Sequence, residues 1–374
     1  MVKNTKPVGT GLLACLGLLV FLIAMSLSVE AHSASAESSP DELDTIIKYR
    51  LAEYRRQYQD VQFIHLEGGQ DWIDDFVAVL SMIGANAVAL DYEHPPEVAD
   101  DVMELSFERL KQMLIADIVS ATAFRVGQGS TLSRPNLCVI TLNPATFVAD
   151  DRTATQYMLD LSDSTMDRVH PLRYLNHRQH LRFTIDHEVF HCLDSIRFGG
   201  APMTKLEFGG EYNLFRRESA ADAYAMALHL RAHGGVTQYA RNITHVRALW
   251  MFTDSPNRGT FETLRVAVIV DPGSLARRSD ADLVGWARKL VDQTVRDYSG
   301  YVHQRAAALK AAHALGMKPE LYGRKWSDCA KRKTEPRLVA KLVNRYRYYY
   351  EHLFTDERLA LDAPPLIDSL GRQK

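Results

Sequence analysis

Apolar positions along the chain recur mostly at helical spacing, with a few short runs that alternate as strands do. The run Ser39-Pro40-Asp41-Glu42 carries helix-start chemistry and predicts a helix over 41–58. Val61-Gln62-Phe63-Ile64-His65-Leu66 then alternates and closes at Gly68-Gly69, as a strand would. The stretch 72–89 reads as helix followed by strand. The spacing of Val102, Leu105, Leu110, Met113 and Leu114 gives a loosely periodic helix over 100–124. Asn136-Leu137-Cys138-Val139-Ile140-Thr141-Leu142 is a short run of β-formers stopped by Asn143-Pro144.

After a polar stretch over 150–180, a helix is predicted over 178–198, ending at Gly199-Gly200, and another over 214–233, ending at Gly234-Gly235. Further helices are expected over 280–315, entered at Ser279-Asp280 and left at Gly316, and over 335–354. The pattern therefore predicts an α+β fold, mainly helical, with a small mixed sheet. Without an internal repeat or a long low-complexity linker, one domain over 37–275 with a helical C-terminal portion over 276–374 is the simplest division.

The N-terminus changes the picture. Lys3 and Lys6 precede an apolar stretch over 12–25, and small residues ending in Ala34-Ser35-Ala36 follow. That order is a secretory signal peptide over 1–36, with Ala31 the alternative cleavage point and an uncleaved anchor the alternative reading. The apolar stretch is short for a bilayer span of roughly 20 residues, so no stable membrane insertion is expected after cleavage. Leu13-Ala14-Cys15 has its apolar run on the wrong side for a lipoprotein box. The destination is periplasmic or extracellular. The mature chain keeps Cys138, Cys192 and Cys329, enough for one disulfide at most, with the pair left open.

Composition excludes some classes. At 374 residues and 46% hydrophobic, the chain can bury a sizeable core. A formal net charge of -2 gives no basic excess for a phosphate backbone, so nucleic acid is not an expected partner.

The chemistry concentrates in His187-Glu188-Val189-Phe190-His191. On a helix, residues four apart share a face, so both imidazoles can reach one zinc ion. Glu188 stands about 100° around the axis from His187, placed to act on a water as general base without being a ligand. Ile185, Val189, Cys192, Leu193 and Ile196 gather opposite, as a buried face. On the next helix Glu218-Ser219-Ala220-Ala221-Asp222 sets two carboxylates on one face, and a two-histidine catalytic site needs one more protein ligand.

HEVFH followed by ESAAD resembles the gluzincin class of zinc peptidases, in which HExxH on one helix is completed by a glutamate in ExxxD on the next. The resemblance covers the two motif helices. It implies a zincin-like catalytic domain, Zn2+ held by His187, His191 and Glu218, Glu188 as general base, and Asp222 accepting a hydrogen bond from a ligand histidine. The metzincin pattern would need glycine at 194 and histidine at 197, where this chain has Asp194 and Arg197. Asp194, one turn beyond His191, is the alternative third ligand.

An oxyanion donor is sought among Tyr224, His229, His233, Tyr239 and His245, with His245 preferred as the catalytic partner. The strand over 136–142 has two readings, a sheet edge that holds extended substrate or an interior core strand. Cys192 reads as a packed thiol or a disulfide partner before it reads as a ligand. The expected activity is hydrolysis of peptide bonds in protein or peptide substrates. The alternatives are a cell-wall peptide amidase or endopeptidase and a non-catalytic zinc-binding envelope protein.

Overall fold

The chain enters its fold through α1 (Pro40–Gln57), which starts where the side chain of Ser39 accepts from the Glu42 amide and Pro40 opens the first turn. Asp41 and Glu42 at this end and Arg55 and Arg56 at the other complement the helix dipole. The computed structural model describes residues 39–67, 88–89, 104–105, 122–126, 136–142, 147–159, 161, 163–198, 209–252, 259–295, 297–315 and 331–353. All of them fall in one unit that begins at Ser39. The expected leader over 1–36, most of 72–89 and Cys329 lie outside the described residues.

Among the described residues five strands follow: β1 (Val61–Glu67), β2 (Val88–Ala89), β3 (Glu104–Leu105), β4 (Thr122–Val126) and β5 (Asn136–Leu142). Strands β1, β5 and β4 form a three-stranded mixed sheet in that order. β1 runs parallel to β5, from Val61 beside Asn136 to Glu67 beside Leu142. β4 runs antiparallel, from Thr122 beside Thr141 to Val126 beside Leu137. β2 and β3 make a separate antiparallel pair.

The helix expected over 100–124 is corrected at both places where that stretch is described. Glu104–Leu105 is strand, and Thr122 to Phe124 belong to β4, where the ladder to β5 overrides a loose periodicity. β5 is interior, with β1 on one side and β4 on the other, so neither of its edges is open to a substrate.

The remaining elements are helical: α2 (Asp151–Leu159), α3 (Asp163–Met166), a 3-10 turn (Pro171–Arg173), α4 (His177–Phe198), α5 (Gly209–His233), α6 (Gln238–Trp250), α7 (Phe261–Ala267), α8 (Pro272–Ala276), α9 (Asp280–Thr294), α10 (Tyr298–Ala314) and α11 (Pro336–Leu353). The chain is mainly helical with a small sheet. α5 is the central rod, packed against α4, α6, α7, α8, α9 and α10. Its alanines 220, 221, 223, 225 and 227 are buried and let those neighbours approach closely. It stops where Gly234 takes a left-handed φ of 66°.

The single helix expected over 280–315 is two. Asp297 caps a new start by accepting from the Gly300 amide at 2.6 Å, which separates α10 from α9. The polar stretch over 150–180 also holds structure, because Asp150 and Asp151 start a helix whose face Ala154, Thr155 and Met158 is buried. Among the described residues, no helix is long and apolar enough to cross a membrane.

Candidate metal centre

α4 is positioned before and after its motif by other elements. Its start is set by Asn176, whose side chain accepts from the Gln179 amide at 3.1 Å. There Asp151 accepts from the His177 amide at 2.7 Å. Asp186, just before the first motif histidine, accepts from Arg50 Nε at 2.6 Å and from Tyr54 Oη at 2.7 Å, both on α1. Cys192, just after the second, is bonded to Cys138 of β5. Asp194, the alternative third ligand, is instead paired with Arg288 of α9. Of the expected face, Ile185, Val189, Cys192 and Leu193 are buried and Ile196 is partly buried, and Asp186, His187 and Glu188 are buried as well, because the helix is enclosed on several sides around its motif.

Within this frame His187, His191 and Glu218 converge. Their donor atoms all lie within 4.8 Å of one another. His187 Nε2 is 3.1 Å from His191 Nε2 and 3.2 Å from Glu218 Oε2, and His191 Nε2 is 3.3 Å from Glu218 Oε1. In a tetrahedral zinc site with bonds of about 2.0–2.1 Å, neighbouring ligand atoms stand about 3.3 Å apart. The two imidazole nitrogens stand at about that spacing, and each has one oxygen of the Glu218 carboxylate at a similar distance, His187 the Oε2 and His191 the Oε1. Two imidazoles and one carboxylate also match the preference of zinc more than the all-oxygen sets of calcium or magnesium. The side chains of His191 and Glu218 are 12% and 16% exposed against 8% for His187, so the open side of the group lies toward the former pair.

Asp222 fixes the tautomer. His187 Nδ1 lies 2.8 Å from Asp222 Oδ1, so Nδ1–H donates there and Nε2 is turned toward the other two donors. Asp222 is fully buried and held in turn by Arg247 Nη2, which donates to Oδ1 at 2.9 Å, and by the hydroxyl of Thr260 on Oδ2. Burial opposes its charge, but Arg247 and His187 outweigh burial and hold the carboxyl below its usual range. Burial likewise opposes charge on His187, yet Glu218 and Asp222 push the imidazole up to about 10. Glu218 is held well below the carboxylate range against burial by His187 and His191. The centre is electrostatically arranged to hold positive charge.

Glu188, the expected base, is buried on α4 next to His187. His245 is set apart from this group. Its Nδ1 donates to Arg241 O at 3.2 Å, and its ring packs against Tyr349 and His352 with centroids 4.9 and 5.5 Å away. Two positions along α6 turn a side chain by roughly 200°, so when Arg247 faces Asp222 His245 must face elsewhere. The other donors considered have partners outside the three ligands: His229 with Thr237 at 2.7 Å, His233 against the His229 ring with centroids 4.4 Å apart, and Tyr239 with His180 at 3.1 Å, while Tyr224 packs on Phe190.

Sequence reasoning missed Arg247 and Thr260. The available signal was weak: Thr237 begins α6 by accepting from the Ala240 amide, but no motif singles out the arginine ten residues on. Comparison of the chain with protein-family models, with curated proteins and with solved structures finds no match.

Proposed function

We propose that this chain is an exported, zinc-dependent peptide-bond hydrolase with a zincin-like catalytic domain. The observation that carries the reading is the convergence of His187, His191 and Glu218, whose nearest polar atoms lie 3.1–3.3 Å apart in each pair, with His187 oriented by Asp222. When bound, zinc would supply Lewis-acid polarisation of a carbonyl and make water more acidic. The chain's own residues do the rest. Asp222 keeps His187 in the tautomer that presents Nε2. Glu188 accepts a proton from water as the water oxygen bonds to the carbonyl carbon, and then passes that proton to the amine nitrogen as the C–N bond breaks. The resemblance of HEVFH and ESAAD to the gluzincin pattern supports peptide bonds as the substrate class. The Cys138–Cys192 disulfide supports an oxidising destination, in keeping with the leader-like first 36 residues.

Hydrolysis of a mixed peptide library and of cell-wall muropeptides by the mature chain tests this reading. Cleavage of linear peptides is expected, with kcat falling by about 100-fold or more in Glu188→Gln while bound zinc is retained. Cleavage confined to muropeptides would move the substrate class to cell-wall crosslinks. Full activity in Glu188→Gln would remove that residue as the base.

A further inference from the structure

A second pair of histidines stands four apart on a helix, away from the His187 centre. His229 and His233 close the C-terminal end of α5 and share a face there, as His187 and His191 do on α4. Their ring centroids are 4.4 Å apart, against 4.8 Å for His187 and His191. α5 ends at His233, and the carbonyls at a helix end carry partial negative charge that favours a cation.

The two rings differ in freedom. His229 is buried, and its Nε2 lies 2.7 Å from Thr237 Oγ1, an oxygen that also accepts from the Ala240 amide. An Nε2–H donated to that oxygen leaves a lone pair on Nδ1, and a ligand imidazole is oriented in this way by a hydrogen bond at its other nitrogen. Among the described residues Nδ1 has no hydrogen-bond partner. Tyr239 supports the His229 ring from α6, with centroids 5.1 Å apart. His233 is exposed, and among the described residues neither of its nitrogens is hydrogen-bonded, so its ring can turn to an ion that His229 holds.

Burial, then the positive charges of His233 and Arg182, lowers His229 to about 4, and burial with Arg182 lowers His233 too. Both rings are neutral at pH 7, the form that ligates a metal. No carboxylate contributes to either shift, so the donors are imidazoles alone, which suit zinc, copper or nickel and not calcium or magnesium.

We propose that His229 and His233 form a second metal site, which takes a divalent transition-metal ion of the zinc, nickel or copper kind and leaves its remaining positions to water. Two protein ligands and the repulsion of Arg182 make it an exchangeable site, weaker than a three-ligand zinc centre. It is separate from the His187 centre, since His229 follows Glu218 by a rise of roughly 16 Å along α5.

Isothermal titration of the full chain with Ni2+, after loading with one equivalent of zinc, tests the pair, and atomic emission follows the zinc. Saturable binding of about one Ni2+ per chain is expected with the zinc retained. His233→Ala changes an exposed position, so it should fold and bind Ni2+ at least about tenfold more weakly. The dependence on His233 decides the matter whether or not the His187 centre holds its own zinc. No saturable Ni2+ binding to the wild-type chain, binding only as zinc is displaced, or unchanged affinity in His233→Ala would overturn the site.

Discussion

His187 is gripped at both ring nitrogens, by Asp222 at Nδ1 and by the Glu218 side of the centre at Nε2, while Asp222 itself rests on Arg247 and Thr260. Removing the outermost support should loosen the ligand. Arg247→Met is expected to weaken zinc affinity by roughly 10- to 100-fold, read by competition with a chromophoric chelator; unchanged affinity would show that Asp222 needs no such support. A second prediction concerns His229, buried on α5 beside Thr237. Burial, with His233 and Arg182, lowers it to about 4. The unfolded chain takes up this proton near pH 6.5 and the folded chain does not, so the stability is fully present above that pH and is lost as pH falls toward 4. Near pH 5 the loss is about 2 kcal/mol, and chemical denaturation of His229→Gln between pH 7 and 5 should lack that component. At this scale HEVFH and ESAAD were legible because helical spacing alone brings such ligands to one face. Arg247 and Thr260 were not, since a contact between distant segments leaves no local spacing to read.

Around its motif the helix α4 is fastened to α1 through Asp186, to β5 through Cys192 and to α9 through Asp194. The disulfide closes a loop with a sequence separation of 54, for which chain entropy gives a stabilisation of roughly 4 kcal/mol. Cys138→Ala with Cys192→Ala should therefore lower unfolding free energy by about 2–4 kcal/mol in urea titration; no change would mean that the crosslink adds nothing to the packed fold. Elements with strong local signals were legible: α1 by its Ser39-Pro40 start, β5 by its run of β-formers, and α4 and α5 by their glycine ends. β4 was not, because its five residues gain strand identity only from the ladder to β5. The break between α9 and α10 was readable at Asp297, but the alanine-rich sequence around it favoured one continuous helix.

Across the molecule, the small residues of α5 bring the surrounding helices close, and that packing places Glu218 and Asp222 against α4. The helical majority followed from hydrophobic spacing. The centrality of α5 did not, since a helix buried all round has no polar face to reveal its orientation. Ligands from two packed helices meet at one point, so metal content reports on the whole arrangement. The most direct measurement is zinc per chain by atomic emission in the purified mature protein and in Glu218→Ala. About one zinc per wild-type chain, lost in the variant while its helical circular dichroism persists, is the result expected. Zinc absent from the wild type after exposure to the metal, or fully retained in Glu218→Ala, would contradict the centre.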